Sequence, residues 1–144
     1  PELLKILDLE GCIVTIDAIG CQKEIVKQIA EKEADYVISL KGNQGILYED
    51  VKDYLDWAQS EKFNEITFDY CETLEKDHGR IETRRCWITE EIQWLEQKED
   101  WQNLRSVIMV EAIREVIGGQ RTLERRYFIS SLEADAKLAL RSVR

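Results

Sequence analysis

Asp17 closes the apolar run at residues 12–16 in the stretch "GCIVTIDAIGCQ". A carboxylate at the end of a buried strand has three uses: it caps the next helix or turn, it holds a hard cation, or it accepts a phosphoryl group. The last two need further acids on neighbouring strands. Asp8, Glu10 and Asp35 are near in number, but each stands at a helix or loop edge suited to solvent. His78, in "KDHGRIETR", is the only histidine and has no second His or paired Cys beside it, which argues against zinc. Arg80, Arg84 and Arg85 follow it, and Arg121, Arg125 and Arg126 crowd a later stretch. Guanidinium forks suit phosphate oxygens, and they equally suit the many acids of this chain. The "GNQG" at residues 42–45 lacks both the spacing and the Lys-Ser/Thr ending of a phosphate-binding loop. The four tryptophans, at 57, 87, 94 and 101, follow no base-stacking spacing and read as core or interface residues.

The elements that must position these residues follow from hydrophobic periodicity. Residues 12–19 form a continuous β-branched run, as in a strand covered on both faces, and Gly20 breaks it. Ile25, Val26, Ile29 and Ala30 give residues 22–33 one apolar helical face, and "YVISL" at 36–40 is a second buried-type strand. A crossover of this length joins parallel neighbours, so Asp17 is expected at the carboxyl edge of its strand, where open α/β sheets bind ligands. Helical spacing resumes at residues 46–58. Beyond residue 60 the pattern alternates. Residues 66–74 and 80–88 flank a tight segment with Gly79 at the strained position. Residues 106–117 and 121–132 flank Gly118-Gly119-Gln120, where two glycines suit a primed turn. A short helical link near residues 92–101 completes this antiparallel layer, and Ser130 with Glu133 forms a capping-box pattern ahead of a last helix through Leu138, Leu140 and Val143.

The 144 residues allow one substantial core. The boundaries expected are 1–62 for an α/β core part, 63–131 for an antiparallel β insertion and 132–144 for the start of a further core helix. Pro1 in place of an initiator Met, and a helical ending with no stop residue, predict a segment of a longer chain. A net charge of −9 argues against nucleic-acid binding by composition alone, but the acids concentrate before residue 76 and the remainder is close to balanced. The four cysteines form no C-x-x-C pair and read as free thiols of a reducing compartment. No run is long enough for a membrane span and no signal-peptide pattern opens the chain, so a cytoplasmic location is expected.

Four stretches in order, "VTIDAIGCQ" (14–22), "ADYVISLKGNQ" (34–44), "DHGRIETRR" (77–85) and "RRYFISSL" (125–132), carry a resemblance. Together they resemble the catalytic region of bacterial insertion-sequence transposases of the DDE class, in the H-repeat-associated branch. The resemblance runs over essentially the whole chain. It implies a ribonuclease-H-like core, and hydrolysis and strand transfer of DNA phosphodiesters at transposon ends with two Mg²⁺ or Mn²⁺ ions. Asp17 resembles the second acid of the triad and would be a metal ligand. The first Asp and the Glu of the family pattern would lie before Pro1 and after Arg144, so the isolated chain is expected to bind metal poorly and to be inactive. Lys41, Asn43, Gln44, His78, Arg80 and Arg84 match the family stretches and are the expected DNA contacts, with Glu82 as an orienting partner for Arg80 or Arg84. DNA is the implied partner, a homodimer is compatible with it, and no membrane role is implied. The competing expectation is a non-catalytic relic or assembly module of a degenerate mobile element.

Overall fold

The computed structural model describes residues 10–17, 23–41 and 45–143. The described elements are β1 (Ile13–Ile16), α1 (Lys23–Glu31), β2 (Asp35–Leu40), α2 (Ile46–Ser60), β3 (Asp69–Asp77), β4 (Arg80–Thr89), β5 (Ser106–Val116), β6 (Arg121–Ser130) and α3 (Ala136–Val143), with one 3₁₀ turn at Lys98–Asp100. All six strands share one mixed, mostly antiparallel sheet in the order β1-β2-β6-β5-β4-β3. β1 and β2 run parallel, as the strand–helix–strand order requires. The long β6 then joins the two regions of the chain. Val37 to Leu40 of β2 pair with Ser130 to Tyr127 of β6, so the parallel pair and the antiparallel hairpins form one continuous layer.

Two cores sit on opposite faces of this sheet. On one face the stripe of α1, with Val26 and Ile29 fully buried, and that of α2, with Leu47, Val51 and Leu55, cover Tyr36, Ile38, Met109 and Ile129. On the other face Ala136, Ala139 and Leu140 of α3 cover Val37, Cys86, Ile88, Ile108, Val110 and Phe128. Because side chains alternate along a strand, a residue's parity in each strand decides which helix layer it meets.

Three local expectations are corrected. Ser130 does not cap the last helix; it ends β6, where its hydroxyl donates to the Tyr36 carbonyl at 2.7 Å and accepts from the Leu132 N–H. Asp135 takes the cap instead, its Oδ1 accepting from the Leu138 N–H at 3.1 Å. Of the two glycines expected in a primed turn, only Gly118 has positive φ (76°), and four residues rather than the expected three separate β5 from β6. The first hairpin matches its expectation more closely. Gly79 (φ 75°) is left-handed, and His78 (φ 47°) joins it there.

Glu90, just after β4, holds this hairpin layer to the lead-in of α3. Its two oxygens accept from Arg105 Nε at 2.7 Å and from the Ala134 N–H at 3.0 Å. The Arg105 bond, then the Ala134 N–H, hold the Glu90 carboxyl below the usual carboxylate range. A depressed folded-state value means that the stabilisation is present above the unfolded value and is lost as pH falls through the folded one. Glu90→Gln is therefore expected to be less stable than the parent near neutrality. The difference should begin to shrink within the usual carboxylate range and close only below it, once the carboxylate is protonated in the folded state as well. Urea unfolding across that range tests this, and a gap independent of pH would refute it.

Candidate functional site

Asp17 lies immediately beyond β1 and is exposed; β1 itself is an edge strand with three residues half-buried and Thr15 exposed, which corrects the expectation of a strand covered on both faces. The β1–β2 register pairs Ile16 with Ile38, which sets Asp17 level with Ser39 and on the same face as Val37, the face covered by α3. Ser142 and Val143 of α3 border this point. Two adjoining clefts, of about 520 Å³ and about 460 Å³, open beside the helix end, and both are lined by Asp17, Ser39, Arg126 and Val143. The larger extends across the sheet to Lys41, Glu82, Arg84, Arg114 and Glu124.

The structure thus places Asp17, Lys41 and Arg84 along one cleft. Arg84 is four strands from Asp17, roughly 23 Å away at about 4.8 Å per strand and 3.3 Å per residue, so the two face different parts of any long ligand. His78 and Arg80 stand elsewhere, at the tip of the β3–β4 hairpin; His78 is 93% exposed, with Asp77 3.2 Å from its Nε2. Asn43 and Gln44 lie outside the described residues.

Glu82 lies 2.5 Å from Arg84, one of the two arginines expected beside it, and 3.6 Å from Arg114. Arg85 pairs with Glu72 and Glu111, Arg121 with Glu115, and Arg125 with Glu111 and Asp56. Most of the arginines that crowd these strands are therefore matched by acids across the sheet. Arg126 is the exception within the cleft: its guanidinium lies over the Phe128 ring, 5.1 Å from the centroid, and among the described residues it has no carboxylate partner. Ser39, Arg114, Glu124 and Arg126 were not singled out as site residues from sequence. The alternation of β6 sends Arg125 and Arg126 to opposite faces, but only the pairing with β2 shows which face holds Asp17.

The fit of this site to a divalent ion is partial. Asp17 and Ser39 are hard oxygen donors of the right chemical type, while Glu82 is already committed to two guanidiniums. Among the described residues no group of three or more His, Cys, Asp or Glu side chains converges as a metal site. Cys12, Cys71 and Cys86 are free, and burial pushes the Cys86 thiol up to about 12. No described helix is long and apolar enough to cross a membrane.

Comparison with known proteins gives a consistent set of relatives. The chain is 48% identical over 135 residues to "Uncharacterized protein in dhlA 3'region" of Xanthobacter autotrophicus, covering 94% of this chain and 44% of that protein. It is 35% identical over 152 residues to "Putative transposase YncI" of Escherichia coli O157:H7, covering all of this chain and 37% of that one. It is 32% identical over 150 residues to "H repeat-associated putative transposase YhhI" of Escherichia coli K12, again covering all of this chain and 38% of the relative. The chain spans less than half the length of each of these relatives. No family model and no solved structure matches.

Proposed function

From the premise that this chain belongs by full-length homology with the H repeat-associated transposases, we propose that it is the central part of a DDE-class, ribonuclease-H-like DNA-cutting core. In this reading Asp17 is one of its metal-binding acids. The observation that supports the reading is the placement of Asp17: an exposed carboxylate at the carboxyl end of β1, in a cleft beside the end of α3. Strand pairing fixes the backbone that carries it, as a metal ligand requires. A divalent cation held by Asp17 together with acids from outside the described residues would supply Lewis-acid polarisation of a DNA phosphoryl oxygen and activation of a water or 3′-hydroxyl. The chain's own part is to hold that carboxylate rigidly, and to run the DNA backbone along the cleft past Lys41 toward Arg84. The hairpin tip with His78 and Arg80, and the segment with Asn43 and Gln44, would reach the same DNA at further points.

The test is made on a protein extended to the length of the relatives, with supercoiled DNA carrying the element's own ends. Nicks at those ends that depend on Mg²⁺ or Mn²⁺ are expected. A protein that binds the ends and leaves them intact in both metals is an assembly module, and the catalytic reading then fails.

A further inference from the structure

We propose that Arg126 is a DNA-binding residue, its guanidinium gripping the non-bridging oxygens of the phosphodiester presented to Asp17. The inference rests on the reading of the cleft as a DNA site and assigns a residue within it. Four observations carry it.

The first is position. Both clefts that contain Asp17 also contain Arg126. Ser39 pairs with Phe128 and Leu40 with Tyr127, so Arg126 stands one step past the end of β2, two strands from β1 and two residues along from Asp17's level. Strand spacing of about 4.8 Å and a rise of about 3.3 Å per residue put their Cα atoms roughly 12 Å apart. An extended arginine, an aspartate and one phosphate group between them fill such a gap. The same spacing puts Arg84 too far off to share that phosphate.

The second is charge. Of the other arginines that line the larger cleft, Arg84 and Arg114 are drawn to Glu82, at 2.5 Å and 3.6 Å, and Arg125 to Glu111 at 2.9 Å. Arg126 has no such partner among the described residues, so it can take up an anion without breaking an existing ion pair. The third is pre-organisation. The guanidinium lies over Phe128, a ring only 2% exposed and fixed under α3, which limits the rotamer freedom lost on binding. The fourth is the sign of the surroundings. Asp17 would repel a bare phosphate, and a cation on the far side of that phosphate offsets this repulsion; a planar fork suits the role because it binds two oxygens at once.

The experiment measures the salt dependence of affinity for a duplex of about 20 base pairs, on the same extended protein, for the parent and three variants. Arg126→Met keeps an apolar stem over Phe128 and deletes the charge. It is expected to weaken binding about fivefold at low salt and to reduce the slope of log K against log[salt] by about 0.9, the signature of one lost phosphate contact. Arg126→Lys should restore the slope. Arg121→Gln, on the opposite face and paired with Glu115 at 3.5 Å, should leave it unchanged. Thermal unfolding of Arg126→Met should match the parent, since Arg126 is exposed. A slope kept in Arg126→Met, a slope not restored by Lys, or an equal loss in Arg121→Gln overturns the assignment while leaving the DNA reading intact. A parent protein that does not bind duplex DNA overturns both.

Discussion

Asp17→Asn, introduced into a protein of the relatives' length, is expected to slow nicking at element ends on the order of 10³-fold, equivalent to about 4 kcal/mol of transition-state stabilisation. The substitution is nearly isosteric. It keeps one oxygen and removes the negative charge on which a hard cation depends, so the loss belongs to chemistry and not to packing. Asp17 is exposed, and among the described residues neither a hydrogen bond nor a core contact depends on it. Its replacement should therefore change the unfolding free energy by less than about 0.5 kcal/mol. DNA binding measured without divalent metal should hold or tighten slightly, because a charge facing the phosphates is gone. The combination of intact fold, intact binding and lost cleavage separates a metal ligand from a helix cap or turn residue. Activity within about tenfold of the parent would show that the carboxylate has no ligand role.

The elements around Asp17 were legible because they are written in local pattern. The β-branched run before it, the stripe Ile25-Val26-Ile29 and the run 36–40 each fit only one kind of element, and their order requires the parallel pair that the structure shows. The arginines were not legible in the same way. Arg125 and Arg126 are adjacent and chemically identical, yet one is paired with Glu111 on the face that α1 and α2 cover and the other lies beside Asp17 on the face that α3 covers. The difference is set by pairing with β2, more than eighty residues away in sequence, which no local pattern contains. The same applies to Ser130, whose capping pattern with Glu133 is locally sound. It lost to a strand-end hydrogen bond with Tyr36, and Asp135, directly before α3, took the cap. The acid-rich first half also reads differently in three dimensions. Asp56 there accepts from the Tyr127 hydroxyl and pairs with Lys52 at 2.9 Å, so part of that negative charge is used inside the fold.

Glu111→Ala is expected to cost the most stability of any single exchange of a charged residue in the sheet. Glu72, Arg85, Glu111 and Arg125 are directly opposite one another on four consecutive strands, forming a cross-sheet row of alternating sign. Glu111 is its centre and is only 3% exposed. Its carboxylate accepts from Arg125 Nε at 2.9 Å and lies 3.5 Å from Arg85. Deleting one partner of a buried pair typically costs about 3–5 kcal/mol, because the remaining charge has lost its counter-ion and is shielded from water. Here two guanidiniums would face each other across the vacancy. Both keep about a third of their side-chain surface in solvent, and Arg85 retains Glu72 at 3.2 Å, which lowers the expected cost to about 2–3 kcal/mol. In urea this corresponds to a midpoint shift of roughly 1 M at unchanged slope. Glu111→Gln, which preserves shape and one acceptor, should lose about half as much. Pairing Glu111→Met with Arg125→Met should cost less than Glu111→Met alone, since the second exchange removes the charge that the first one strands. A Glu111→Ala protein within about 0.5 kcal/mol of the parent would mean that the two arginines reach water freely and that the row is surface decoration. Glu111 itself lies on the face opposite Asp17 and Arg126, but its partner Arg125 also reaches the larger cleft, so any change in DNA affinity of the folded Glu111 variants would report on Arg125.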